Sequence, residues 1–331
     1  MSFQSVGVIG SGSWGTALGL LLHDNGLPVT IWGHDPAHMG RMRAARVNAE
    51  YLPGIPLPPR LGLAEKLEDL RACDLLLIVT PSKAMREIAA RLHATGPRQD
   101  AVLLSCTKGV ERGTGLRMSE ILAERFPTNP VAVLSGPSHA EEVARRLATC
   151  VVLGSPEAAI AQRLQRAFSA PWFRAYTNDD VAGIELGGAL KNIFALAAGV
   201  CDGLGLGDNA KAALITRALV ELGRLAIALG GRRETLMGLS GLGDLMVTCF
   251  SRHSRNRAVG ERLGKGETLA AIESTMQMVA EGVPTTFSGY ECAVRCGIEA
   301  PIIEQVKGIL EGTIAPAEAL LRLLGRDPKP E

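Results

Sequence analysis

Aromatic residues make up only 4% of the 331-residue sequence, too few for a surface that stacks nucleic-acid bases. A charge imbalance is missing as well. Lys and Arg number 35 against 34 Asp and Glu, a net charge of +1, so no global field gathers nucleic acid or an acidic membrane. Any anion must be held by a local cluster. The seven cysteines stand at 73, 106, 150, 201, 249, 292 and 296 with no C-x-x-C among them. An odd, unpatterned set predicts neither a disulfide framework nor a zinc site. Cys292 and Cys296 share a helix face and read as small apolar core residues. Internal repeats and low-complexity tracts are absent too. The start, Met1-Ser2-Phe3-Gln4-Ser5, runs straight into a strand-like segment, which leaves no room for a signal peptide. No apolar run is read as reaching the roughly 18 residues that span a bilayer. A cytoplasmic location is therefore expected, with neither nucleic acid nor membrane insertion.

What is there is a chain of two textures, long enough for two domains. In the first half, short apolar runs alternate with helix-like stretches: Ser5–Gly10, Pro28–Gly33, Asp74–Thr80, Ala101–Thr107, Val131–Gly136 and Cys150–Gly154. Little charge inside each run predicts strands buried on both faces of a parallel sheet. Right-handed crossovers then give a doubly wound α/β domain, and Trp172–Thr177 would add an edge strand. From about Asp179 helical patterns dominate: Asp180–Val200, Asn209–Leu229, Leu269–Met278, Thr285–Cys296 and Ala300–Leu310. The expected organisation is a Rossmann-type dinucleotide-binding domain over residues 1–178 and an all-α substrate-binding domain over residues 179–331. The cleft between them is the expected site.

Gly10-Ser11-Gly12-Ser13-Trp14-Gly15 completes G-x-G-x-x-G between a strand (Val6-Gly7-Val8-Ile9) and a helix (Thr16–Leu22), with a second strand at Pro28–Gly33. In that context the glycines let backbone N–H groups approach a pyrophosphate resting on the helix N-terminus. The second strand ends in Trp32-Gly33-His34-Asp35. Asp35 is placed to meet a ribose hydroxyl, but His34 stands nearer the strand end and tolerates a 2′-phosphate. NADP is therefore favoured, or both nicotinamides. Later strand ends carry Thr80-Pro81-Ser82-Lys83, Cys106-Thr107-Lys108-Gly109 and Ser135-Gly136-Pro137-Ser138-His139-Ala140. In an open parallel sheet these ends share the edge beside the nucleotide. Lys108, directly after an apolar strand, is the functional candidate; Lys83 reads as a solvated first-turn residue.

On the helix Asp180–Val200 the only cation is Lys191, whose face carries Gly187, Gly188, Ala195 and Ala198. Two readings fit that spacing. Small residues leave room for a bound molecule beside a lysine whose burial suits it to proton transfer, or they serve close helix packing past a snorkelling lysine. Ser251-Arg252-His253-Ser254-Arg255-Asn256-Arg257 is the densest basic segment. It suits a phosphate, with a charged fork beside a neutral donor, or it is a solvated loop.

Gly10–Gly15, Trp32-Gly33-His34-Asp35-Pro36, Asn48-Ala49-Glu50-Tyr51-Leu52-Pro53, Thr107-Lys108-Gly109, Ser135-Gly136-Pro137-Ser138, Glu185-Leu186-Gly187-Gly188-Ala189-Leu190-Lys191-Asn192, Gly241-Leu242-Gly243-Asp244-Leu245 and Ser254-Arg255-Asn256-Arg257 together resemble the bacterial NAD(P)-dependent glycerol-3-phosphate dehydrogenases. The likeness runs in order over nearly the whole chain. It implies that Lys191 is the catalytic lysine and that Lys108 meets both cofactor and substrate. It also implies that Gly136, Ser138, Asp244, Ser254, Arg255 and Asn256 bind substrate. Gly10, Gly12, Ser13, Trp14, Gly15, His34, Ala140, Val279, Glu281 and again Arg255 would meet the cofactor. His139 departs from the phenylalanine common in the family. The substrate pair implied is dihydroxyacetone phosphate and sn-glycerol 3-phosphate, serving phospholipid synthesis, with a homodimer as the assembly considered. No metal is expected. The rivals are a lysine-dependent dehydrogenase of the 6-phosphogluconate or β-hydroxyacid type, and a non-catalytic NADPH sensor that kept the fold.

Overall fold

The computed structural model describes residues 2–276 and 278–326. The apolar runs form strands β1 (Val6–Ile9), β2 (Val29–Trp32), β4 (Leu75–Ile78), β5 (Val102–Ser105), β6 (Val131–Ser135), β7 (Thr149–Gly154) and β8 (Phe173–Asn178), and β3 is the two-residue Gly62–Leu63. They build one eight-stranded sheet in the order β3-β2-β1-β4-β5-β6-β7-β8. The first six positions follow the dinucleotide-fold order 3-2-1-4-5-6, which reverses direction beside β1. One expectation is corrected: β7 pairs antiparallel with β6, although β8 lies parallel to β7. The chain between β6 and β7 holds only the five-residue helix Ala140–Ala144, too short for the crossover that a parallel neighbour needs.

Helices α1 (Ser13–Asp24), α2 (Pro36–Ala45), α3 (Met85–Ala94), α4 (Met118–Arg125), α5 (Ala140–Ala144) and α6 (Ala158–Phe168) accompany the sheet. The helical half holds α7 (Val181–Gly203), α8 (Gly207–Ala228), α9 (Arg233–Leu236), α10 (Asp244–Phe250), α11 (Arg255–Gly264), α12 (Leu269–Ser274), α13 (Gly282–Cys296), α14 (Pro301–Glu311) and α15 (Pro316–Leu324). The chain divides into two compact units. One comprises residues up to Lys108 together with Arg117–Glu185; the other comprises Gly109–Leu116 together with Leu186 onward. The core of the first is aliphatic, built on β1, β2, β4 and β5 with Leu18, Leu21, Leu22, Phe168 and Phe173 packed against them.

Helix α7 corrects a second expectation. By length and composition it is apolar enough to cross a membrane, yet all of its most apolar 18-residue window is buried inside the protein. It is a core helix, and its hydrophobicity is satisfied by protein rather than lipid.

Within the helical unit, Glu221 of α8 is buried and accepts hydrogen bonds from the backbone N–H groups of Ile302 (3.0 Å) and Ile303 (2.9 Å), capping the first turn of α14. Burial pushes its carboxyl up to about 7 from 4.5, against the pull of those two N–H groups and of Arg224 and Arg326. Between these values the folded chain holds a proton that the unfolded chain has lost. Stability from Glu221 is therefore full below pH 4.5 and lost as pH rises through about 7. The span corresponds to roughly 3 kcal/mol. Glu221→Gln should abolish that slope: the stability of wild type relative to the variant, measured by urea unfolding, should fall steadily between about pH 4.5 and 7. A difference independent of pH would mean that Glu221 titrates as an ordinary carboxyl.

Candidate active site

In the sheet unit, the turn after β1 carries the glycine fingerprint. Gly10 adopts φ +128° and its N–H donates to the Trp32 carbonyl at 2.8 Å. A Cβ there would lie 2.1 Å from the Val79 carbonyl oxygen, and one at Gly15 would lie 1.9 Å from the Gly10 carbonyl oxygen. Both glycines are demanded by the protein itself. Gly12 is different. It caps α1 with φ −69°, open to any residue, and a Cβ would meet nothing within 4 Å. The fold has no need of glycine at that position, whereas a pyrophosphate pressed onto the α1 N-terminus does. A dinucleotide therefore fits. Ser13 opens α1, and Trp14 packs partly buried on the core. The buried amide of Asn48 braces the turn, donating to the Ser11 carbonyl and to Thr16 Oγ1, each at 2.8 Å.

At the end of β2, His34 is exposed. Asp35 is engaged as the α2 N-cap, its Oδ1 accepting from the Ala37 N–H at 2.9 Å. The His38 backbone N–H and that of Ala37 hold its carboxyl below the usual range. Further along the same edge three candidates converge. Lys108 Nζ and Ser138 Oγ both donate to the Gly136 carbonyl oxygen, at 3.1 and 3.0 Å, and Gly136 turns that oxygen into place with φ +135°. Ala140 is buried at the start of α5.

In the helical unit, Lys191 is buried midway along α7 (5% exposed). Its Nζ donates to Asp244 Oδ1 and to Thr248 Oγ1, both at 2.5 Å, and these partners are 1% and 3% exposed. Thr248 Oγ1 in turn donates to the Asp244 backbone carbonyl at 2.6 Å. Asp244 is aimed by the π-helical turn Leu239–Gly243 immediately before it, the kind of irregularity often found at functional sites. A Cβ at Gly187 would meet the Ser240 carbonyl oxygen at 2.7 Å. Here the small face of α7 admits a neighbouring backbone rather than a ligand. A charged ammonium, carboxylate and hydroxyl held together away from water make a proton-handling group with fixed geometry.

The basic segment resolves into distinct parts. Ser254 caps α11, its Oγ accepting from the Arg257 N–H at 3.2 Å. Arg255 is exposed on the first turn and donates to the Val279 carbonyl at 2.9 Å, two residues before Glu281. Asn256 is buried; its Nδ2 donates to Asn192 Oδ1 at 2.8 Å and its Oδ1 accepts from the Gly282 N–H at 2.9 Å. Arg257 pairs with Asp202 at 2.6 Å, which gives it a structural partner. The segment is thus a capped helix start, and anions are favoured at such an end.

Asn48 and Asn192 stand inside the family motifs without a role of their own, and Thr248 stands outside them. Thr248 alone left a usable sign, since it stands four residues after Asp244 and so shares its helix face. Burial pushes the thiols of Cys106 and Cys249 up, Cys249 to about 12, so neither supplies a thiolate at neutral pH. Among the described residues no cluster of three or more His, Cys, Asp or Glu is placed to hold a metal.

The family profile described as the NAD-dependent glycerol-3-phosphate dehydrogenase N-terminus matches residues 5–161, and the corresponding C-terminus profile matches residues 180–321. A glycerol-3-phosphate dehydrogenase [NAD(P)+] of Geobacter sulfurreducens is 46% identical over 332 aligned positions, covering 99% of each chain. One from Chlorobium limicola is 45% identical over 98% of this chain and 99% of its own. The crystal structure of glycerol-3-phosphate dehydrogenase from Coxiella burnetii superposes with a TM-score of 0.94 at 40% identity, over 98% of this chain and 99% of that one. The 6-phosphogluconate and β-hydroxyacid class is not favoured. With both profiles matched and full-length relatives well above 30% identity, the chain belongs to the NAD-dependent glycerol-3-phosphate dehydrogenase family.

Proposed function

We propose that this protein reduces dihydroxyacetone phosphate to sn-glycerol 3-phosphate with NAD(P)H, in the cytoplasm, for phospholipid synthesis. The observation that carries this reading is the buried Lys191–Asp244–Thr248 group, centred on the lysine that the family resemblance marks as catalytic. When bound, the nicotinamide supplies the hydride for the C2 carbonyl carbon. Lys191 holds the matching proton on Nζ. Its ammonium stabilises the negative oxygen that develops at C2 and passes it the proton; in the reverse direction the amine takes the proton from the alcohol. Asp244 keeps the charge of the ammonium balanced in a site closed to water, and Thr248 fixes its direction. Arg255 and the first turn of α11 anchor the phosphate, with Ser254 and Asn256 completing the pocket, so binding energy remote from C2 orients the carbonyl. Lys108, Gly136 and Ser138 line the substrate from the sheet edge, and Val279 and Glu281 with Arg255 meet the cofactor. The test is NAD(P)H oxidation followed by absorbance. Dihydroxyacetone phosphate should be turned over. Activity on a β-hydroxyacid with none on dihydroxyacetone phosphate would overturn the reading.

His34, exposed at the end of β2 while Asp35 is engaged as a cap, supports the reading that NADPH is used at least as well as NADH. His34→Asp should lose NADPH by repulsion of the 2′-phosphate and spare NADH, read as kcat/KM for each cofactor. A wild-type enzyme confined to NADH would refute this.

A further inference from the structure

Helices α7 and α11 carry matched glycines four residues apart: Gly199 and Gly203 on one, Gly260 and Gly264 on the other. None of the four has positive φ, so helix geometry itself would accept alanine at each. What excludes a side chain is the facing backbone. A Cβ at Gly199 would lie 2.0 Å from the Arg257 carbonyl oxygen, and one at Gly203 would lie 2.3 Å from that of Glu261. Reciprocally, a Cβ at Gly260 would lie 2.0 Å from the Leu196 carbonyl oxygen, and one at Gly264 2.6 Å from that of Val200. Backbone rests on backbone from both sides, over two turns of each helix.

The line of contact does not stop at the glycines. One turn before Gly260 on α11 stands Asn256, and its amide meets Asn192 of α7, the neighbour of Lys191 in the chain. The seam therefore ends at the proton-handling group. A second tie fixes the same helix start. Asp202, near the end of α7, accepts from Arg257 at 2.6 Å and from Lys211 of α8 at 2.8 Å, while Arg257 Nε donates to the Ser251 carbonyl at 3.2 Å. Arg257 is thereby held in the first turn of α11, beside Arg255 and Asn256.

Resting on the function proposed above, we infer that the glycine seam, with the Asp202–Arg257 tie, sets the depth and phase of α11 on α7 and so positions Arg255 and Asn256 for the substrate phosphate. The four glycines, Asp202 and Arg257 are positioning residues, none of them touching substrate. A methyl group in the seam must move the backbones apart by about 1 Å to regain ordinary contact. That shift breaks the Asn192–Asn256 hydrogen bond, and misplacement by about 1 Å can cost on the order of 100-fold in rate.

The test separates phosphate positioning from general damage by comparing dihydroxyacetone phosphate with dihydroxyacetone, which keeps the reacting carbonyl and lacks the phosphate. The readout is the ratio of the two kcat/KM values. Gly260→Ala should lower this ratio at least tenfold by losing activity on the phosphorylated substrate, with much less effect on dihydroxyacetone. Gly264→Ala is the gentler probe of the seam, and Asp202→Asn adds no atom to it and removes only the charge facing Arg257 and Lys211; both should shift the ratio the same way. Thermal melting identifies which variants are folded. A folded variant that keeps the wild-type ratio, or loses both activities equally, overturns the inference. A wild-type enzyme inactive on dihydroxyacetone phosphate instead overturns the functional reading on which it rests.

Discussion

Lys191→Ala should lower kcat for dihydroxyacetone phosphate reduction by about 10²- to 10⁴-fold, the range typical of a positioned general acid. Lys191→Arg should restore little, because a guanidinium holds its proton too tightly to pass it on, and its planar fork does not match the Asp244–Thr248 pair. NADPH binding should survive in both, since Gly10–Gly15 and His34 belong to the other unit. Removing the ammonium also leaves the Asp244 carboxylate, 1% exposed, without its charged partner. Breaking a buried pair in this way costs about 3–5 kcal/mol. The variant should therefore melt earlier than wild type, so turnover and cofactor titration belong well below its melting point. Near-wild-type turnover would move the acid role to Lys108, the other lysine at a candidate position.

Arg255→Ala carries the second large effect: a 10- to 100-fold rise in KM for dihydroxyacetone phosphate, matching a charge-assisted contact of roughly 1.5–3 kcal/mol. Cofactor binding should weaken as well, since Arg255 also holds the Val279 carbonyl. The controls are its neighbours. Arg252 is exposed ahead of the helix and its alanine variant should bind substrate normally. If Arg252→Ala and Arg255→Ala raised KM equally, the segment would be a general basic surface rather than a phosphate anchor.

The periodicity of the chain was legible to within a residue or two for seven strands because each is a run of apolar residues bounded by turn formers. Gly62–Leu63 is too short to carry any pattern. The reversal at β7 depends on the length of a connection rather than on the strand itself. Helix α2 went unread because its apolar and polar residues are not segregated into a clear helical stripe and its start is fixed by the Asp35 cap. In the site, residue types with a charge to spend were visible: Lys191, Asp244 and Arg255. Their partners were less so. Lys191 meets Asp244 and Thr248 across 53 and 57 positions of sequence, and their meeting depends on a π-turn whose glycines admit several conformations. The small face around Lys191 was ambiguous for the same reason, since a missing Cβ looks alike whether ligand or backbone fills the space.

The burial of α7 bears on how the chain is made. Its partners in the second unit, down to α13, are encoded after it, so on the ribosome the helix waits roughly 5–20 s at ordinary synthesis rates before they exist. During that interval a segment of its length and composition resembles a membrane anchor to the targeting machinery. Lys191 lies near the middle of its 23 residues, the depth at which a lysine opposes insertion by about 2.5–3.5 kcal/mol. The charge proposed to carry the proton in the finished enzyme is thus also what makes the helix costly to insert into lipid.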